Sequence, residues 1–162
     1  MDIREYRPGD LPAIHVINEA ETPAVGAVSR AALGELAAMS TFALVAEVAG
    51  EVAGFGLVLE PGLDYGSSNY AWFGERYEHF VYLDRVAFAP QHQRRGFGRA
   101  LYAAVERRTR TERPAATHFT LEVNVRPRND PSLSFHAKLG FVELEQRETP
   151  YGARVSMMAK VL

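Results

Sequence analysis

The chain has 162 residues, 47% hydrophobic and 23% charged, which suits one domain with a real core and the make-up of a soluble globular protein. A net charge of −2 gives no support to general nucleic-acid binding. The absence of cysteine excludes disulfides, thiolate metal sites and an acyl-cysteine mechanism.

Met1-Asp2-Ile3-Arg4-Glu5 holds no apolar leader, and no apolar run approaches the roughly 20 residues of a membrane span. The expectation is a cytoplasmic enzyme or binding protein with no membrane partner. Ile3 and Tyr6 belong to a short first strand, and Arg7-Pro8-Gly9-Asp10 turns into a helix. Leu11, Ile14, His15 and Ile17-Asn18 give that helix one apolar face, on which His15 reads as packed rather than catalytic. Residues 18–23 break the periodicity and read as a loop. Ser29 caps a second helix with Leu33, Leu36 and Met39 inward. Phe42, Leu44, Ala46 and Val48 alternate, Gly50-Glu51 turns, and residues 52–59 return as a hairpin. Gly54 and Gly56 inside the return strand point to a bulge or a close approach by another group.

Residues 61–79 are too long for an ordinary hairpin connection, and loops of that length are often functional. They carry Tyr65, Tyr70, Trp72, Phe73 and Tyr77 beside Asp64, Glu75 and Glu78, with Gly62, Gly66 and Gly74 as hinges. Two compatible readings stand. Tyr65, Tyr70, Trp72 and Tyr77 line a lid or pocket wall for a ligand with an amine and an apolar body. Alternatively the loop packs its aromatics on the core or on a second subunit, as in a homodimer.

A β-type run, Phe80-Val81-Tyr82-Leu83-Asp84-Arg85-Val86-Ala87-Phe88, stops at Pro90. The basic turn Gln93-Arg94-Arg95-Gly96-Phe97-Gly98-Arg99 follows, and then a helix runs to about Arg113, where Pro114 closes it. Strand, glycine turn and helix start make an anion site. Unpaired amides and the helix dipole favour negative charge there, and Arg94, Arg95 and Arg99 add charge-assisted bonds. Leu101 stands where a dinucleotide fingerprint wants its third glycine, and the Gly-Lys-Ser/Thr of a P-loop is absent. The arginines of 107–113 read as a solvated helix face, one of them within reach of a further phosphate.

Residues 117–125 read as a strand, and Asn129-Asp130-Pro131-Ser132 as a helix cap. Strands over 141–146 and 154–161 complete the chain. His79, His92 and His118 show no metal-ligand spacing. Strands alternating with helices, then an antiparallel tail, make a mixed α/β sheet.

The pattern Q-x-x-G-x-G over residues 93–98 resembles the pyrophosphate loop of the GNAT superfamily, the acyl-CoA-dependent N-acyltransferases. Phe135-His136-Ala137-Lys138-Leu139-Gly140-Phe141, with Asn129 seven residues before His136, is similar to that family's N…FYxKLGF segment. The two motifs stand in the family's order. The resemblance implies one domain over 1–162 and a mixed, mostly antiparallel sheet that splays open at the strand ending near Phe88, with about four flanking helices. It implies acetyl-CoA as co-substrate, its pantetheine arm on the backbone of Val86, Ala87 and Phe88. The phosphates fall to Arg94, Arg95, Gly96, Phe97, Gly98 and Arg99, with Asn129 also at the cofactor. The segment between the first two helices is expected to line the acceptor site.

Most amines are protonated at neutral pH, with pKa values of roughly 8 to 10.4, so a base is useful. Tyr82 and Asp84 alternate onto one strand face, at positions where some family members place a base. Glu122 matches the base of members similar to ribosomal-protein N-terminal acetyltransferases. Asp84 ranks first and Glu122 second; the alternative for Asp84 is an ion pair with Arg85 or another arginine, and for Glu122 a structural pairing. His136 replaces the family's usual tyrosine acid, and it is open between acid, CoA contact and packing. The implied activity is acetyl transfer, by direct attack in a ternary complex, to a primary amine of a small molecule or a protein N-terminus. A non-catalytic acyl-CoA-binding regulatory domain is the alternative, favoured by His136 and opposed by Asp84 and Glu122.

Overall fold

A computed structural model describes residues 1–162. In chain order the elements are β1 (Asp2–Glu5), α1 (Leu11–Ala20), α2 (Arg30–Met39), β2 (Phe42–Val48), β3 (Glu51–Leu59), α3 (Ser68–Gly74), β4 (Phe80–Phe88), α4 (Phe97–Glu112), β5 (His118–Arg126), α5 (Asp130–Lys138), β6 (Val142–Glu148) and β7 (Arg154–Val161). The strands hydrogen-bond in the order β1-β2-β3-β4-β5-β7-β6. β4 and β5 run parallel, whereas β1/β2, β2/β3, β5/β7 and β6/β7 are antiparallel. The chain is thus a mixed α/β fold with a mostly antiparallel sheet, as the alternation of elements predicts. It forms two compact units, Met1–Leu59 with Leu83–Arg108, and Glu60–Tyr82 with Thr109–Leu162.

The first unit is built on the β2/β3 hairpin, which is buried on both faces: Phe42 and Leu44 point to one side of the sheet and Phe55 and Leu57 to the other, and Ile14 of α1 and Leu33 of α2 are buried as well. Ser29 caps α2 by accepting a bond from the Ala32 amide at 3.1 Å, which satisfies one of the unpaired amides of the first turn. Both readings of the β3 glycines hold. The hairpin register shifts between Ala46 and Glu47, and a Cβ on Gly54 would fall into the Phe88 ring and within 2.8 Å of the Ala87 oxygen. Ahead of α1, Arg4 grips Asp10 through two parallel bonds of 2.8 and 2.9 Å. That bidentate pair holds the Asp10 carboxyl below the usual range.

One expectation fails here. Residues 18–20 are the last turn of α1, not loop. Asn18 breaks the apolar pattern, yet it is fully buried because its amide bonds Gly26 and its oxygen accepts from Arg85. A buried polar group with partners fits a core that a polarity count assigns to solvent.

In the second unit β7 lies between β5 and β6. β4 joins β5 only through Phe80–Tyr82, opposite His118–Thr120, and beyond Tyr82 it leaves this ladder. Residues 61–79 are not a single loop. Ser67 accepts from the Tyr70 amide at 3.2 Å and opens α3, which buries Tyr70, Trp72 and Phe73. α5 starts as expected, with the Asn129 side chain accepting from the Ser132 amide at 3.3 Å.

Candidate active site

The candidate anion-binding turn lies in the first unit. After β4, a one-turn 3-10 helix over Pro90–His92 leads into the basic turn. Arg94 (φ 59°) and Gly96 (φ 82°) both adopt the left-handed conformation, which glycine takes freely and arginine only under constraint. The Gly96 oxygen then accepts the first helical bond, from Ala100 at 3.2 Å. The amides of Phe97, Gly98 and Arg99 therefore open a 16-residue helix with no acceptor four residues behind them. Arg94, Arg95 and Arg99 are exposed around them. Helix start and three guanidinium groups together suit a diphosphate.

The turn is tied down at its base. Gln93 donates to the Phe88 oxygen at 3.1 Å and to Glu21 at 2.7 Å, and the Arg95 guanidinium lies 5.1 Å from the Phe97 ring centroid. Upstream, Ala89 donates to Ala53 at 2.9 Å, fixing the strand end that carries Val86, Ala87 and Phe88. Asp84 is nearly enclosed, with 7% of its side chain exposed, and its carboxylate meets Arg85 Nε at 3.2 Å. That contact is charge against charge without hydrogen-bond alignment. The same guanidinium donates to Gly26 at 2.6 Å and Asn18 at 3.0 Å. Asp84 thus faces a cation that the framework anchors.

The second unit holds the other carboxylate. The phenol of fully buried Tyr82 donates to Glu122 Oε2 at 2.8 Å, and Glu122 is half-buried on β5. The Tyr82 ring is packed edge-on by Tyr70 at 5.6 Å and tilted against Phe73 at 5.8 Å. Tyr65 sits edge-on to Tyr70 at 5.7 Å. Tyr65, Tyr70, Tyr82 and Glu122 are therefore one cluster. Tyr70 spends its hydroxyl on the framework, donating to the Glu60 oxygen at 2.6 Å and accepting from the Leu63 amide at 3.0 Å. Trp72 lies under the Arg76 guanidinium. Tyr77 stacks on His118 at 3.9 Å beside a surface pocket of about 350 Å³ that includes Val142, Leu144 and Lys160. The aromatic stretch thus divides between two places rather than forming one wall.

His136 is buried, and its Nδ1 lies 2.7 Å from the Ser132 carbonyl oxygen. A carbonyl only accepts, so the ring proton sits on Nδ1 and Nε2 carries a lone pair. Burial pushes its pKa below the ordinary 6.5, and Phe135 and Phe141 flank the ring edge-on at 5.3 and 5.5 Å. At neutral pH this imidazole has no spare proton on Nε2. Asn129 is occupied as the α5 cap.

Arg85 was expected only as a partner for Asp84, and Phe73 only as one of the aromatics of 61–79; the bonds of Arg85 to Asn18 and Gly26 and the packing of Phe73 on Tyr82 were not legible. Gln93 stood in the motif without a role. Ser67, three residues ahead of an aromatic run that begins at Tyr70, was the available signal for α3. Two arginines expected to be solvated are also engaged. Arg108 pairs with Glu5 and lies over the Phe42 ring, and Arg113 bonds Glu60 at 2.7 Å.

The acetyltransferase (GNAT) family model matches residues 11–141. No curated protein matches the chain. The chain is similar in fold to the ribosomal-protein-S18-alanine N-acetyltransferase of Escherichia coli, at 22% identity and a TM-score of 0.75 over 99% of this chain and 92% of that one. Ard1 from Thermoplasma volcanium gives 21% identity and a TM-score of 0.80, covering 99% and 97% of the two chains. The yncA structure from Salmonella typhimurium, which contains its cofactor acetyl-CoA, gives 22% identity and a TM-score of 0.74 over 100% and 94%. No helix of the chain is long and apolar enough to cross a membrane.

Proposed function

The chain belongs to the acetyltransferase (GNAT) family, and from that premise we propose that it moves an acetyl group from acetyl-CoA to a primary amine in a ternary complex. The observation that carries this reading is the left-handed turn at Arg94 and Gly96, which opens a long helix among exposed arginines. In the proposed complex the amides of Phe97, Gly98 and Arg99, with Arg94 and Arg95, hold the CoA diphosphate. The backbone of Val86, Ala87 and Phe88 takes the pantetheine arm, in keeping with a strand that leaves the β5 ladder after Tyr82.

Glu122 is the proposed base, ahead of Asp84. Its carboxylate is hydrogen-bonded to a neutral phenol, whereas Asp84 faces a fixed guanidinium and reads better as that arginine's counter-charge. Glu122 takes a proton from the ammonium, and the neutral nitrogen attacks the thioester carbon. The C–S bond then breaks, CoA leaves as thiolate, and the nitrogen's second proton passes to that thiolate or to water, leaving the neutral amide and CoA. A thiol pKa near 8.5 makes that departure tolerable without an acid. His136 is accordingly proposed to pack and orient α5 rather than to donate.

A carboxylate more readily deprotonates an α-amino group, with pKa about 7.7–8.0, than a lysine side chain near 10.4. The preferred acceptor is therefore a protein or peptide N-terminus, in line with fold relatives that are named for acetylating an alanine of a ribosomal protein. The test is CoA release across a panel of peptides with free N-termini, N-terminally blocked lysine peptides and small amines. Turnover confined to free N-termini is expected. A non-catalytic acyl-CoA-binding role draws on the locked His136 tautomer, and tight acetyl-CoA binding with no turnover on any amine would select it.

A further inference from the structure

Tyr82 carries a polar atom into a place where the core asks only for a ring. It is completely buried, its face is closed by Tyr70 and Phe73, and Phe80 lies two residues before it on the same strand. A phenylalanine would fill the same space. The hydroxyl instead reaches from β4 to β5 and donates to Glu122 at 2.8 Å. That direction of donation assigns the roles. The phenol keeps its proton and the carboxylate accepts. Ionising the phenol would set two negative charges within bonding distance, which is disfavoured. Tyr82 is therefore not the base, although its strand position suggested one.

We propose that Tyr82 is a positioning residue for the reaction: its phenol holds the Glu122 carboxylate ionised and in one orientation, and α3 holds the phenol. This rests on the reading of Glu122 as base. It also gives residues 61–79 a purpose other than a lid. Tyr70 anchors α3 to the chain before it, through Glu60 and Leu63, and with Phe73 it leaves the Tyr82 ring a single seat. An oriented carboxylate starts each turnover aimed at the incoming ammonium, where a free one would sample several rotamers. A hydrogen bond to the charged form also keeps the carboxylate ionised at lower pH.

The test compares wild type with Tyr82→Phe, which keeps the ring and removes only the hydroxyl. The titration midpoint of the Glu122 side-chain carboxyl, followed by carbon-13 NMR with glutamate labelling, needs no acceptor. A midpoint about one pH unit higher in Tyr82→Phe is expected from loss of one bond to a charged group, a tenfold change in proton affinity. Tyr70→Phe, which loses framework bonds but none to Glu122, should leave the midpoint in place. With acetyl-CoA and an alanine-terminated peptide, the acidic limb of kcat/KM should move by the same amount in Tyr82→Phe while KM for acetyl-CoA stays constant. An unmoved midpoint in Tyr82→Phe, or an equal shift in Tyr70→Phe, overturns the positioning role. A shifted midpoint with an unmoved rate profile upholds the phenol–carboxylate link and overturns Glu122 as the base.

Discussion

His136 shows how one bond sets a residue's chemistry. From the sequence, a histidine in the place of a tyrosine could donate a proton, touch CoA or simply pack. The 2.7 Å contact to the Ser132 oxygen puts the proton on Nδ1, and burial disfavours a second one. An acid role would cost about 10²–10⁴-fold in rate when removed; His136→Gln is expected to lose less than about tenfold in kcat. The same burial makes stability depend on pH. Below about pH 6.5 the unfolded chain accepts a proton at this position that the folded protein resists. Stability should therefore fall as pH drops through that value, and His136→Gln should flatten that part of a Tm-against-pH curve. An unchanged slope would show that the ring titrates freely. Residue identity was legible in the sequence at Asp84, Glu122 and His136, and so was Arg85 as a partner for Asp84, but the partner of Glu122 was not. Tyr82 and Glu122 are 40 positions apart, and their meeting depends on strand pairing that no local pattern records.

Elements were legible where one period governs them. The alternation of the β2/β3 hairpin, the caps at Ser29 and Asn129 and the whole of β4 follow from local rules. α3 was hidden because a seven-residue helix buried by aromatics on several sides shows no polar face, and glycines around it read as hinges. α1 was read short because Asn18 is polar and buried at once. β3 offers a graded test of close approach. A methyl at Gly54 would meet the Phe88 ring and the Ala87 carbonyl, whereas at Gly56 it would meet, at 2.8 Å, only the tip of the Leu101 side chain. A flexible tip can yield and a backbone carbonyl cannot. Overpacking typically costs about 1–3 kcal/mol, so Gly54→Ala is expected near the top of that range in urea unfolding and Gly56→Ala near the bottom. Gly54→Ala should also weaken acetyl-CoA binding, because it displaces Ala87 and Phe88. Equal losses for the two variants would mean that β4 moves as easily as a leucine side chain.

For the molecule as a whole, composition excluded more than it identified. The net charge of −2 hides a local concentration of arginines on one turn, and it is that concentration, with two left-handed residues, on which the proposed CoA site rests. A ligand that binds only the folded state at a hundred times its Kd adds about 2.7 kcal/mol, several degrees of Tm for a chain of this size. Acetyl-CoA and CoA should each give such a shift. ATP or NAD at equal concentration should give little, and an equal ATP shift would contradict the reading of the turn. The proposed function requires that acetyl-CoA meet an amine that Glu122 deprotonates. The most direct measurement is the initial rate of acetylation of an alanine-terminated peptide, read by mass spectrometry, in wild type, Glu122→Gln and Asp84→Asn. One acetyl group on the α-amine is expected in wild type, with a loss of about 10²–10⁴-fold in Glu122→Gln that shrinks at high pH. Asp84→Asn should lose less, and acetyl-CoA affinity should persist in both variants. A Glu122→Gln enzyme that matches wild type at neutral pH, or a wild type that binds acetyl-CoA and leaves the α-amine unmodified, would contradict it.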